Sequence, residues 1–123
     1  MKAALGQFAV SREWQENLST SVRLMGEAKA AGADLLLLPE GILARDITDP
    51  DIVLKTAQPL DGPFMQGVLE ASKGSALTTL FCIHVPNGKG RVFNVHVAVR
   101  DGAIAAAYRK LHQRFRVIDI QTT

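Results

Sequence analysis

Residues 34 to 41 read DLLLLPEG: four consecutive leucines, Leu35 to Leu38, run into Pro39, and a lone carboxylate, Glu40, follows. No other stretch constrains the fold as tightly. A strand with one solvated face alternates apolar and polar residues. An unbroken apolar run of strand length fits a strand covered on both faces, as parallel strands are when helices pack on them. Pro39 has no N–H to give to a sheet ladder, so it ends the pairing and leaves the next side chain at the rim.

The flanking sequence supports a parallel neighbour. Ala3 to Val10 is short and apolar and predicts a strand, and Ser11 is placed to cap a helix by accepting a backbone N–H of its first turn. Trp14, Leu18, Val22 and Met25 then recur at spacings of four, four and three, a stripe of helical period, and Gly32 is a good stop. Strand, helix and strand make a βαβ unit. After Glu40 comes a long irregular stretch, GILARDITDPDIVLKTAQPLDG, whose Asp-Pro and Asp-Gly pairs mark turns; a loop of that length inside a compact domain often carries function.

Pro63 suits the first position of a second helix through Phe64, Val68, Leu69 and Ala71 to a stop at Gly74. A strand is expected over Leu77 to Val85, a turn at PNGKG, and a strand over Arg91 to Arg100. Asp101-Gly102 is a two-residue hairpin signal into Ala103 to Tyr108. On the simplest register Val95, Val97 and Val99 share a face with Ile104, Ala106, Tyr108 and Lys110, so a lysine ends an apolar row. The whole chain is α/β, with no internal repeat and no linker that separates domains.

Composition narrows the function classes. The 123 residues are 47% hydrophobic and 21% charged, an ordinary globular balance for one domain. A net charge of +2, scattered along the chain, does not suggest nucleic acid or an anionic membrane as partner. No apolar run approaches the length of a spanning helix and the N-terminus has no cleavage pattern, so a cytoplasmic protein is expected. The single cysteine, Cys82, excludes an internal disulfide, and neither a CxxC pair nor a spaced histidine pair offers a metal site.

In α/β sheets reactive groups gather beyond the carboxyl ends of strands, where loops converge on a rigid frame. Glu40 occupies such a place, although a solvated loop acid fits the same pattern. Lys110, after an apolar strand, is either a snorkelling surface lysine or a functional cation. Together, a carboxylate and an ammonium at two strand ends suit a reacting carbonyl, the first moving protons and the second stabilising an oxyanion. They lack a nucleophile. Cys82 lies two residues before His84, on the same face of its strand, but between Phe81 and Ile83 it is placed as a small hydrophobe. His84, His96 and His112 are read as structural.

The segments ADLLLLPEG and YRKLH, with the opening ALGQFAV, the helix containing Asn17, the hairpin FNVHVAVRDG and the spacing between them, resemble the nitrilase or carbon-nitrogen hydrolase superfamily. Within it the similarity is greatest to the bacterial branch of deaminated glutathione amidase and other omega-amidase-like enzymes, and it runs from Ala3 to His112. The resemblance implies an αββα sandwich, of which this chain holds the N-terminal half, and a Glu-Lys-Cys catalytic set acting on small linear amides, with no cofactor and no metal. Glu40 matches the general base and Lys110 the oxyanion-stabilising lysine. His112 belongs to the KLH motif and helps hold Lys110, and Asn94 matches a common asparagine of the hairpin, read as a turn or strand-end hydrogen-bonding residue.

In that mechanism the glutamate takes a thiol proton, the thiolate attacks the amide carbon, the amine leaves, and water activated by the same glutamate hydrolyses the thioester. The family cysteine lies on a tight strand-to-helix turn well downstream of the lysine, whereas from Gln113 this sequence reads QRFRVIDIQTT. The expectation is a partial hydrolase domain over 1–112, a divergent tail over 113–123 and no catalytic cysteine, hence inactivity alone. Open sheet surfaces would then invite self-association. The alternative is a non-catalytic fragment or interaction piece from a disrupted gene. A third reading, an unrelated small α/β binding module, calls for a doubly wound single sheet.

Overall fold

The computed structural model describes residues 1–109. Along the chain run β1 (Ala3–Leu5), α1 (Trp14–Ala30), β2 (Leu35–Leu37), α2 (Ile52–Thr56), α3 (Pro63–Ser72), β3 (Thr78–Pro86), β4 (Val92–Arg100) and β5 (Ala103–Arg109). The strands form one sheet in sequential order. β1, β2 and β3 are parallel, joined by helical crossovers, and β3, β4 and β5 continue antiparallel through hairpins.

The leucine run is the parallel strand its composition demands, with β1 and β3 on either side. Its two faces fare differently, because α1 and α3 cover only one of them. Leu36 and Leu38 are buried beneath the helices, whereas Leu37 is 38% exposed and Leu5, its partner on β1, more so. The expectation of burial on both faces therefore holds for one face among the described residues. Under the helices, Phe64, Met65 and Val68 of α3 meet Phe81, Ile83 and Val97 of the sheet, and the rings of Phe64 and Phe81 sit edge to face at 6.0 Å.

Several local expectations shift. β1 is shorter than 3–10: β2 ends at Leu37, so after Gly6 donates its N–H to the Leu37 carbonyl there is nothing left to pair with. Ser11 does not cap α1; its hydroxyl accepts the Glu13 N–H in a local turn, and the helix begins at Trp14. The buried stripe of α1 is Asn17, Ser21, Met25 and Ala28, one residue round from the apolar stripe, and Val22 is left 37% exposed. Leu18 instead sits at the seam between the helices, where Gly67 of α3 makes room for it. The long loop contains a short helix, α2, that its turn residues hid.

Pro63 does open α3, and the three later strands lie within a residue or two of their expected ends. Asp101 and Gly102 both take positive φ, +48° and +79°, as a two-residue hairpin turn requires. The simple register fails one step later. Val99 pairs with Ile104 but Ala98 pairs with Ala106, so Ala105 is an extra residue in a bulge. From there the faces exchange: Ala106 and Tyr108 lie beside Ala98 and His96 on the face away from the helices, not beside Val97. Lys110 lies outside the described residues.

Candidate active site

A parallel ladder advances two residues at a time on both strands. The Leu38 N–H bonds the Leu80 carbonyl at 2.9 Å, so regular pairing would give the Cys82 carbonyl to Glu40. It is taken instead by the Ile42 N–H at 3.2 Å. Two extra residues are thus looped out, and Glu40 stands in the middle of the bulge formed by Pro39, Glu40 and Gly41. Pro39 has no ladder donor to lose there. Gly41, at φ +61°, turns the chain back in a conformation that side chains disfavour. Ile42 is fully buried and anchors the return, with Leu43 and Ala44 buried behind it.

The bulge lifts Glu40 to the rim of a cavity of about 380 Å³ on the sheet face away from the helices, walled by Leu37, Leu80, Cys82, His96 and Tyr108. The rings of His96 and Tyr108 stack at 5.0 Å between centroids. Glu40 is exposed, and its carbonyl accepts a hydrogen bond from Arg45 Nη2 at 3.1 Å. His84 is partly buried against Gly41, whose position would put a Cβ 3.6 Å from the ring Cε1. Burial pushes the His84 pKa below its ordinary 6.5, and the negative charge of Glu40 partly opposes the fall. Farther out, Arg12 pairs with Asp46 at 3.5 Å and Lys55 with Asp49 at 2.9 Å, which fastens the outer part of the loop.

Cys82 lines the same cavity but is only 2% exposed, inside β3. Its thiol donates to Oδ1 of Asn94, a carbonyl oxygen that engages the protonated thiol and not the thiolate. Asn94 is itself buried, in β4 opposite His84, so the expected strand-end residue holds the Cys82 side chain from within the sheet. Lys110 and His112, like the tail over 113–123, lie outside the described residues.

The structure therefore brings a carboxylate, an imidazole and a guanidinium to one strand end. The sequence had singled out Glu40 alone there. Gly41, following Pro-Glu, was the available sign of a positive φ. Nothing in the spacing of Arg45 or His84 announced their approach to Glu40. Among the described residues no group of three or more His, Cys, Asp or Glu side chains is placed to hold a metal ion, and no helix is long and apolar enough to cross a membrane.

Comparison with known proteins supplies the context for this geometry. The family model described as carbon-nitrogen hydrolase matches residues 2–120. The deaminated glutathione amidase of Escherichia coli O157:H7 is 43% identical over 112 residues, covering 91% of this chain and 43% of the relative. A hydrolase of Mycobacterium tuberculosis strain H37Rv is 32% identical over 115 residues, covering 91% of this chain and 40% of the relative. The chain thus spans about two fifths of the length of these curated relatives. Among solved structures, the NitFhit protein of C. elegans superposes with a TM-score of 0.76 at 18% identity, over 89% of this chain and 27% of that one. The carbon-nitrogen hydrolase of Helicobacter pylori G27 superposes with a TM-score of 0.67 at 18% identity, over 91% and 40%. At that identity the likeness is one of fold, and the fold is nitrilase-type.

Proposed function

The chain belongs to the carbon-nitrogen hydrolase family, and from that premise we propose that it is part of an amidase for small linear amides such as deaminated glutathione, with Glu40 as general base and Lys110 as the oxyanion-stabilising cation. The observation that carries this reading is the bulge from Pro39 to Gly41, which sets a carboxylate at the carboxyl end of a parallel strand and on the rim of a cavity. There Glu40 takes the proton of an attacking thiol. The thiolate adds to the amide carbon, and the oxyanion forms against Lys110 and a backbone N–H. The amine departs with the proton from Glu40, which then activates the water that cleaves the thioester.

The thiol is not Cys82. Its burial in β3 and its bond to Asn94 support a packing role, so in this reading the nucleophile is supplied by sequence other than these 123 residues. The 123 residues alone are then inactive, because loss of a nucleophile costs on the order of 10⁶ in kcat. That same observation favours the second reading, a non-catalytic fragment. The exposed Leu5, Leu37 and Tyr108 on the face away from the helices support self-association of such a fragment, which gel filtration over a concentration series would reveal.

The readings separate in a chimera in which the matched 112 residues replace their counterpart in the E. coli amidase. The proposed function predicts release of cysteinylglycine from deaminated glutathione. In that chimera Glu40→Gln lowers kcat by about 10²–10⁴-fold and Lys110→Gln by about 10²–10³-fold. An unimpaired E40Q chimera would refute the assignment of the base. Turnover by the 123 residues alone that vanishes in Cys82→Ala would make Cys82 the nucleophile.

A further inference from the structure

Asn17 sits on the buried face of α1, at 2% exposure, where the helical period calls for an apolar side chain. Asparagine is a poor residue for a helix interior, and its side chain faces neither solvent nor its own helix. Oδ1 accepts the Ser11 N–H at 2.8 Å, and Nδ2 donates to the Ser11 carbonyl at 2.9 Å and the Leu43 carbonyl at 3.0 Å. Both amide hydrogens are committed, so the group has one orientation.

Two routes lead from it to the bulge. Leu43 follows the buried Ile42, three residues beyond Glu40, and is held directly. The Ser11 carbonyl also accepts the Arg45 N–H at 3.0 Å, and Arg45 Nη2 returns to the Glu40 carbonyl at 3.1 Å. The chain leaving β1 and the chain leaving β2 are thereby tied together on one side chain, and the tie closes on the backbone of Glu40.

We propose that Asn17 is the positioning residue for Glu40, holding the bulge in place directly through Leu43 and indirectly through Ser11 and Arg45. The inference rests on Glu40 being the general base, but its geometry is open to a test that needs no amide cleavage. The partly buried His84 ring lies against Gly41 and feels the charge of Glu40, so its titration reports where that carboxylate is.

The experiment follows the His84 ring signal by NMR through a pH titration of the full 123-residue chain. Glu40→Gln sets the reference: loss of the carboxylate lowers the His84 midpoint. Asn17→Ser lowers it in the same direction, and made in the E40Q background it produces no further change, because its effect passes through Glu40. A folded N17S chain with the wild-type midpoint overturns the proposal. So does a shift of equal size with and without Glu40, which marks a structural effect on His84 itself. Where N17S does not fold, Arg45→Lys decides, since that side chain is exposed and the change keeps its charge while removing the planar fork. It shows the same dependence on Glu40 if the tie exists and none if it does not. Failure here leaves the amidase reading to the chimera, and failure of the chimera leaves this coupling measurable.

Discussion

Gly41→Ala tests the backbone on which Glu40 depends. A Cβ at Gly41 would lie 3.6 Å from His84 Cε1 and 3.8 Å from Arg45 Nη2, ordinary contact distances, so crowding contributes nothing. The φ of +61° does. Holding an alanine in the left-handed region costs about 1–2 kcal/mol, while the stiffer unfolded chain returns about 0.4–1 kcal/mol. The net is a destabilisation of about 1 kcal/mol, roughly a fivefold change in the ratio of folded to unfolded chain. Escape from the left-handed region would be dearer, because it breaks the bond from Ile42 to Cys82 and leaves a buried backbone group unpaired, at about 1–3 kcal/mol. The strain is therefore kept and read as lost stability. Gly41→Asn is the control, since asparagine tolerates this region better. Urea unfolding at unchanged slope should place G41A lowest and G41N between it and the wild type. A G41A chain as stable as the wild type, or a G41N chain that falls as far as G41A, would refute the role given to φ.

Three other outcomes follow from the packing and the titrating groups. Gly67→Ala puts a Cβ 2.6 Å from Leu18 Cδ2, so overpacking of about 1–3 kcal/mol outweighs a gain in helix propensity of about 0.8–1 kcal/mol; in a Leu18→Ala background the same substitution should stabilise, and urea midpoints that keep one sign in both backgrounds would contradict this. Thr79 is fully buried and its hydroxyl has no hydrogen-bond partner among the described residues, so Thr79→Val should raise the thermal midpoint, by about 1 kcal/mol of stability, and a lowered midpoint would mean that the hydroxyl is satisfied. The His84 pKa is lowered in the folded chain, so between that value and 6.5 the unfolded chain binds more protons: its contribution is full above the unfolded value and is lost as pH falls through this window. His84→Gln should flatten that part of the stability profile and leave the lower window, set by the depressed carboxyls of Asp46 and Asp49 below 3.8, unchanged.

What the sequence made legible is what depends on neighbours along the chain. Pro39 at the end of the leucine run, Pro63 at the head of α3 and the Asp-Gly turn all act through local sterics or missing donors, and each is found where it was expected; the leucine run itself is a parallel strand, but buried on one face only among the described residues. The misreadings share a different cause. Ala105 is an extra residue only in relation to β4, so no pattern within β5 could disclose the bulge that turns Tyr108 to the other face. Asn17 lies off the apolar stripe of α1, and its burial makes sense only once the Ser11 and Leu43 backbone groups that it bonds are in place; Ser21 is buried with its hydroxyl on the Asn17 carbonyl. The apolar run and Pro39 located Glu40 at a strand end, the resemblance matched it to a general base, and the bulge explains how its side chain is presented. The nearness of His84 and Arg45 to it exists only in three dimensions.

The bulge also explains why an acid can stand next to so apolar a strand. Glu40 itself contributes little to its own placement: its side chain is exposed, and Arg45 bonds its carbonyl, not its carboxylate. The anchoring lies at the two ends, where Leu38 and Ile42 are buried and both keep their ladder bonds to β3. Burying a side chain the size of leucine or isoleucine contributes about 1.5–3 kcal/mol, more than the strain at Gly41 costs. The apolar run and its buried return thus fix the two ends, Pro39 and Gly41 release the middle, and none of the ion pairs among the described residues draws on the carboxylate that the bulge carries.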